Sequence, residues 1–273
     1  MEITTHSFLI AFSLTLLAGL STGIGSAMAF FAKKTNTNFL SVALGFSAGV
    51  MIYISFVELY AQGEDSFVNE FGARLGSTYN FLFFMGGMLI IAIIDRLVPS
   101  FENPHEVHLI EEMTDENRKA ANKKRLMRTG LFSALVIGIH NFPEGVATFA
   151  AGLADISIAL PIAIAIAIHN IPEGIAVSIP IFYATNSRKK AFWLSFTSGL
   201  AEPVGGLIGF LILRNYLNDL TLGATFSIIA GIMVFISLDE LLPTAKEYGK
   251  PHAAIYGLMG GVAVMAISLI LFK

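Results

Sequence analysis

Apolar residues run along this chain in long, unbroken stretches separated by short polar connections. The stretches cover about 7–31, 38–61, 78–98, 130–153, 157–184, 190–213, 220–243 and 253–272. Each is near the roughly 20 residues an α-helix needs to cross a bilayer. Hydrophobicity is continuous rather than alternating, which argues against a transmembrane β-barrel. The pattern predicts an all-α, polytopic membrane protein of eight transmembrane helices. One connection is long: residues 99–128 are rich in Glu, Asp, Lys, Arg and Asn and have no sustained apolar face. Its first half reads as a flexible loop, its second as a solvated basic segment with helical character. The chain 1–273 thus reads as a single transmembrane domain carrying one sizeable loop between spans 3 and 4.

Composition agrees. Hydrophobic residues make up 55% of the chain and charged residues only 14%, with mean hydropathy +0.70. A soluble chain carries about 25% charged residues, so this one cannot cover its surface with polar groups, and the lipid bilayer is its expected solvent. There is no cysteine, which excludes disulfides, thiolate metal sites and cysteine nucleophiles. Residues 1–7 contain Glu2 and His6 but no Lys or Arg. The first stretch therefore reads as a mature span rather than a cleaved signal peptide. The net charge of −3 says little about partners. No nucleic-acid partner is expected, and a homodimer is left open.

Basic residues orient the spans. Lys33 and Lys34 follow span 1. Arg96, Arg118, Lys119, Lys123, Lys124, Arg125 and Arg128 lie around the long loop. Arg188, Lys189 and Lys190 follow span 5, and Lys246 and Lys250 follow span 7. These connections share one side and hold 14 of the 17 Lys and Arg; Arg74, Arg214 and Lys273 lie on the other. The positive-inside rule then places the long loop in the cytoplasm and both termini outside, in a multi-pass protein of the plasma (inner) membrane.

The sequence also repeats itself. Gly19-Leu20…Ile24-Gly25 matches Gly199-Leu200…Val204-Gly205. Gly49-x-Met51…Ile54-Ser55-x-x-Glu58-Leu59 matches Gly231-x-Met233…Ile236-Ser237-x-x-Glu240-Leu241. Met85-Gly86-Gly87 matches Met259-Gly260-Gly261. The offsets are 180, 182 and 174 residues. The predicted orientation makes each pair antiparallel, so spans 1–3 and 6–8 read as inverted repeats around a central pair, spans 4 and 5. Such repeats place substrate near the bilayer midplane at their interface.

The central pair carries the chemistry. His140-Asn141-Phe142-Pro143-Glu144-Gly145 is nearly duplicated as His169-Asn170-Ile171-Pro172-Glu173-Gly174. His and Glu stand four residues apart, on one helix face and about 6 Å apart along the axis. Pro143 and Pro172 free the carbonyls of Ile139 and Ile168, while Gly145 and Gly174 admit a close neighbour. Span 6 adds Glu202, beside Pro203. The first repeat has Thr22 at that position, so the third acid comes from one side only. Mid-membrane carboxylates cost about 3 kcal/mol each when unpaired, and no Lys or Arg lies mid-span. The balancing charge must come from protons or from a bound cation. Two imidazoles and three carboxylates suit a divalent transition metal, with Asn141 and Asn170 as neutral oxygen donors. The set could hold two adjacent ions bridged by Glu144 and Glu173. Without thiolates it accepts zinc, iron, manganese, cobalt or cadmium and disfavours Cu⁺.

His-Asn-x-Pro-Glu-Gly in the fourth and fifth spans, with Ala-Glu-x-x-Gly-Gly in the sixth, resembles the ZIP family of divalent-metal transporters, in particular its bacterial ZupT-like branch. The resemblance covers essentially the whole chain. It implies one ion held by His140, Glu144, His169 and Glu173, and a second served by Asn141, Asn170 and Glu202. It also implies uptake into the cytoplasm, with spans 1, 4, 5 and 6 moving as a unit against 2, 3, 7 and 8. No cofactor is expected; the metal, zinc or iron foremost, is cargo, and no chemistry is performed on it.

Acids elsewhere fit a path. Glu58 lies near the outer end of span 2. Glu240, with Asp239, lies near the inner end of span 7, so carboxylates mark both mouths. Asp95 and Arg96 read as an interfacial ion pair. His105 and His108 in the long loop could bind metal weakly. Two other classes compete: a proton-translocating carrier, because protonated carboxylates also remove the charge, and a membrane-embedded metalloenzyme, although the chain lacks His-Glu-x-x-His.

Overall fold

The structure is a computed structural model that describes residues 4–28, 37–97, 116–249 and 252–271. Lys33, Lys34, His105 and His108 lie outside the described residues. Within them every regular element is helical. The helices are α1 (Thr5–Met28), α2 (Thr37–Ile54), α3 (Tyr60–Phe71), α4 (Ala73–Leu97), α5 (Glu116–Ala154), α6 (Ile156–Thr185), α7 (Arg188–Gly199), α8 (Ala201–Leu213), α9 (Asp219–Ile236), α10 (Leu242–Tyr248) and α11 (Ala253–Leu271). A π-helical turn, Ser55–Leu59, fuses α2 to α3, and a second, Ser237–Leu241, fuses α9 to α10. The two turns fall on the two copies of Ile-Ser-x-x-Glu-Leu. Only Leu200 separates α7 from α8.

Among the described residues, seven helical stretches are long and apolar enough to cross a membrane, so the chain is a multi-pass membrane protein. The stretch outside that seven is α5, whose apolar half is diluted by His140, Asn141, Pro143 and Glu144. Three boundaries differ from the sequence reading. The second stretch continues to Phe71, because polar α3 still buries Gly63 and Phe67. Gly72, at φ 76, ends it in a backbone conformation that suits glycine, and α4 starts at once. Residues 116–128, read as a basic segment with helical character outside the span, are the first turns of α5.

Capping marks the other reversals. Asp155 accepts a hydrogen bond from Ser157 N–H at 2.7 Å at the start of α6. The Ser157 hydrogen bonds, backbone first, hold the Asp155 carboxyl below the usual carboxylate value. Asn186, at φ 51, closes α6 in the left-handed conformation. No ion pair joins Asp95 to Arg96 among the described residues: adjacent residues diverge by about 100° on a helix.

The helices pack in two groups. Helices α1, α5, α6, α7 and α8 pack mainly on one another, as do α2, α3, α4, α9, α10 and α11; α2 against α6 and α5 against α9 join them. Of the apolar windows, 22% of α4 and 28% of α11 is buried, against 61% of α6 and 67% of the α9–α10 stretch. The first two are therefore flanks. Leu89, Ile93, Leu211, Ile212, Ile267 and Ile270 are exposed, a surface that suits hydrocarbon. Trp193 packs with Phe192 and Phe196 a turn beyond Arg188, Lys189 and Lys190, the aromatic-plus-basic combination of a membrane–water boundary.

Glycines set the helix spacing. Gly45 and Gly49 of α2 lie against the carbonyls of Ala254 and Leu258, and Gly257 and Gly261 of α11 against those of Val42 and Phe46. Small residues four apart on both helices allow this backbone approach. Gly87 of α4 and Gly231 of α9 likewise meet the Ile228 and Phe84 carbonyls. Gly257→Leu is expected to separate α11 from α2 at a cost of about 1–3 kcal/mol. Its thermal unfolding midpoint in detergent should fall, while Gly260→Ala, with only a Phe46 ring atom at 3.8 Å, should unfold like the parent.

Candidate metal centre

The polar residues of α5, α6 and α8 converge. His140, Asn141, Glu144, His169, Asn170, Glu173 and Glu202 are all buried, His140 being the most accessible at 2%. Close approach explains the convergence. A Cβ on Gly145 would strike the Glu202 carbonyl, and one on Gly174 the Thr22 carbonyl. Likewise Gly205 of α8 faces the Phe142 carbonyl and Gly25 of α1 faces that of Ile171. Glycine thus seats α8 on α5 and α1 on α6 at the level of the two hexapeptides. Both helices run on through Pro143 and Pro172.

Histidine and glutamate pair across the two helices. His140 Nε2 lies 3.3 Å from Glu173 Oε2, and His169 Nε2 lies 3.3 Å from Glu144 Oε1. His169 is also 4.0 Å from Glu173 Oε1 on its own helix. His169 Nδ1 faces the Ala165 carbonyl at 3.1 Å. A carbonyl only accepts, so Nδ1 carries a proton; Nε2 hydrogen-bonds with Glu144 Oε2 at 3.3 Å, so a proton is shared between that ring and that carboxyl group. Glu202 sits in the first turn of α8, where the helix dipole favours negative charge. It accepts a hydrogen bond from Asn170 Nδ2, which also donates to the Ala18 carbonyl at 3.0 Å. Asn141 Nδ2 donates to the Ser198 carbonyl at 3.3 Å. Both amide oxygens are buried without a hydrogen-bond partner.

Many donor atoms remain unsatisfied. The buried side-chain atoms without a hydrogen-bond partner, among the described residues, are both His140 ring nitrogens, Asn141 Oδ1, Glu144 Oε1, Asn170 Oδ1, Glu173 Oε2, Glu202 Oε2 and Thr22 Oγ1. The paired His140 Nε2 and Glu173 Oε2 are close but not aligned as a hydrogen bond. Buried polar atoms are ordinarily partnered, and their concentration here is what a cation-binding cluster requires. Among the described residues, no three His, Asp or Glu side chains already surround one ion position. The His–Glu pairs must open for a metal to take their place.

Residues outside the hexapeptides divide into near and far. Glu240, buried on the second π-turn, lies within electrostatic reach of His140 and Glu173. Asp239 beside it is exposed. Glu58, half-buried on the first π-turn, accepts a hydrogen bond from Gln62 at 3.3 Å. Sequence reasoning missed Ser47, whose hydroxyl on α2 lies 3.4 Å from Glu173 Oε1 and 3.3 Å from the His169 carbonyl. The one signal for it was a serine framed by Gly45 and Gly49. Gly145→Val is expected to push α8 off α5 and abolish zinc binding by the purified protein in calorimetry, while the variant still inserts into membranes.

The same cluster joins the chain to known proteins. A family model described as "ZIP Zinc transporter" matches residues 98–269, which include all seven site residues. The zinc transporter ZupT of Clostridium perfringens (strain 13 / Type A) is 58% identical over 277 residues, covering 98% of this chain and 97% of its own. That of Streptococcus mutans serotype c is 60% identical over 262 residues, covering 96% and 97%. That of Chlorobaculum parvum is 57% identical over 268 residues, covering 98% and 99%. A buried His–Glu–Asn cluster, a family match over more than half the chain and relatives this similar along nearly its whole length lead to one conclusion: the chain belongs to the ZIP family.

Proposed function

We propose that this protein imports divalent transition-metal cations into the cytoplasm, zinc first, with iron, manganese, cobalt and cadmium accepted by the same donors. The observation that carries the reading is the set of unpartnered buried nitrogens and oxygens held at one level by α5, α6 and α8. His140, Glu144, His169 and Glu173 hold one ion, and Asn141, Asn170 and Glu202 a second, with Glu144 and Glu173 between them. The relatives named above are called zinc transporters, and the donor set matches that name without being restricted to zinc. The metal is cargo, bound loosely enough to leave.

The chain crosses the membrane eight times, α5 included, with both termini outside. Inverted repeats organise it, and matched contacts support them. Gly145 meets the Glu202 carbonyl as Gly174 meets that of Thr22, and Gly205 meets Phe142 as Gly25 meets Ile171. Asn141 reaches the Ser198 carbonyl as Asn170 reaches Ala18. The two packing groups are the bodies that shift to open the site to either side. Glu240, near His140, receives the ion on the inner side, with Asp239 at the exposed end; Glu58 serves the outer approach. The membrane potential drives uptake, since a dication gains about 4.6 kcal/mol per 100 mV.

Uptake of zinc into proteoliposomes tests the reading. His169→Ala and Glu144→Ala should each lower the initial rate at least about tenfold, the loss of one ligand interaction of some 1.4 kcal/mol or more. Equal rates in all three proteins would refute the site, and ion flux without metal would favour a proton carrier. Orientation has its own test, because the chain contains no cysteine. Ser187→Cys should react with an impermeant maleimide only from the cytoplasmic side and Asp219→Cys only from the outside.

A further inference from the structure

Thr22 on α1 is wholly buried, yet its hydroxyl lacks a hydrogen-bond partner. Every other buried serine and threonine among the described residues donates to a backbone carbonyl. A helical threonine ordinarily bonds back to the carbonyl four residues earlier, which here is Ala18. That carbonyl already accepts from Ser21 Oγ at 2.6 Å and Asn170 Nδ2 at 3.0 Å. The Thr22 hydroxyl is left to turn elsewhere.

Its place in the fold says where. The Thr22 carbonyl stands against Gly174 as the Glu202 carbonyl stands against Gly145. One turn earlier, Ala18 takes the Asn170 amide as Ser198 takes the Asn141 amide. Thr22 therefore holds on α1 the position that Glu202 holds on α8. Glu202 engages Asn170; the matching neighbour of Thr22 is Asn141, whose Oδ1 is also unpartnered. Gly199, next to Ser198, packs directly on the Thr22 side chain, its hydroxyl included, so Thr22 faces the α7–α8 junction from which Glu202 comes.

We propose that Thr22 Oγ is a fourth oxygen donor to the second ion, beside Asn141 Oδ1, Asn170 Oδ1 and Glu202 Oε2, and that it tunes metal preference. The proposal rests on the reading of those three residues as a second ion position. The four oxygens carry one carboxylate charge and no nitrogen, whereas the first ion faces two imidazoles. Hydroxyl and amide oxygens suit manganese, and imidazole suits zinc and other softer ions. Thr22 thus raises the standing of manganese relative to cadmium.

Uptake of Mn²⁺, Zn²⁺ and Cd²⁺ into proteoliposomes, resolved into KM and Vmax, tests this. Thr22→Val keeps the side-chain shape and removes the oxygen; Thr22→Ser keeps the oxygen. Thr22→Val should raise the KM for manganese about tenfold, the loss of one ligand-strength contact. Its KM for cadmium should rise less, and Thr22→Ser should restore the parent ratio. Unchanged KM ratios in Thr22→Val overturn the proposal, as does a fall in Vmax alone or a failure of Thr22→Ser to restore the ratio. If Thr22→Val does not fold, Thr22→Ala against Thr22→Ser decides by the same ratios. Glu202→Gln separates the two levels. If it shifts the ratios and Thr22→Val does not, only the role of Thr22 falls. If neither shifts them, the second ion position falls with it.

Discussion

Everything in this molecule is arranged around the cost of keeping carboxylates inside an apolar protein. Glu144, Glu173 and Glu202 are fully buried, and Lys and Arg are absent from mid-span. Isolated charges there are prohibitive, and pairing repays the desolvation only when the geometry is close. The crossed contacts, His140 to Glu173 and His169 to Glu144, bring the partners to 3.3 Å between two helices that must lie side by side. The glycines that let α8 and α1 press on those helices then follow from the same constraint.

The compensation is incomplete, and the proposed function gives the incompleteness a use. A cluster built for stability would leave few donors unpartnered, because each orphaned buried polar atom costs about 1–3 kcal/mol. Here the orphans gather where a cation would stand. The amides of Asn141 and Asn170 donate to backbone carbonyls, Asn170 to Glu202 as well, and leave their oxygens unpartnered. His169 is anchored by Nδ1 on the backbone, and its Nε2 meets Glu144 across the helix pair. Under the proposed function, this anchoring is what keeps the site ordered without its ion.

Much of this was legible in the primary structure. Long apolar runs announced helices, and the duplicated hexapeptide announced the cluster, because His and Glu at a four-residue spacing share a face. Less legible were features that depend on amphipathic or dilute segments. Helix α3 was truncated in the sequence reading, since Gln62, Glu64 and Asp65 hide the packing of Phe67. The first turns of α5 read as a basic segment with helical character but not as part of the span, since their residues are charged. The expected Asp95–Arg96 pair failed on helix geometry: neighbours in sequence point in different directions.

Residue type and spacing alone determined that the chain would be helical and membrane-embedded, and that seven polar residues would be its costly core. Periodicity and transfer energy are local properties, and each residue carries them wherever it lies. Only the tertiary structure decided which histidine meets which glutamate and that Ser47 touches Glu173 from another helix. It alone showed that Glu240 is buried while Asp239 beside it is exposed. It also left the Thr22 hydroxyl unpartnered, because the Ala18 carbonyl is claimed by a residue far along the chain. Those outcomes depend on contacts between helices distant in sequence, where backbone approach set by glycine selects the neighbours and no local pattern records the choice.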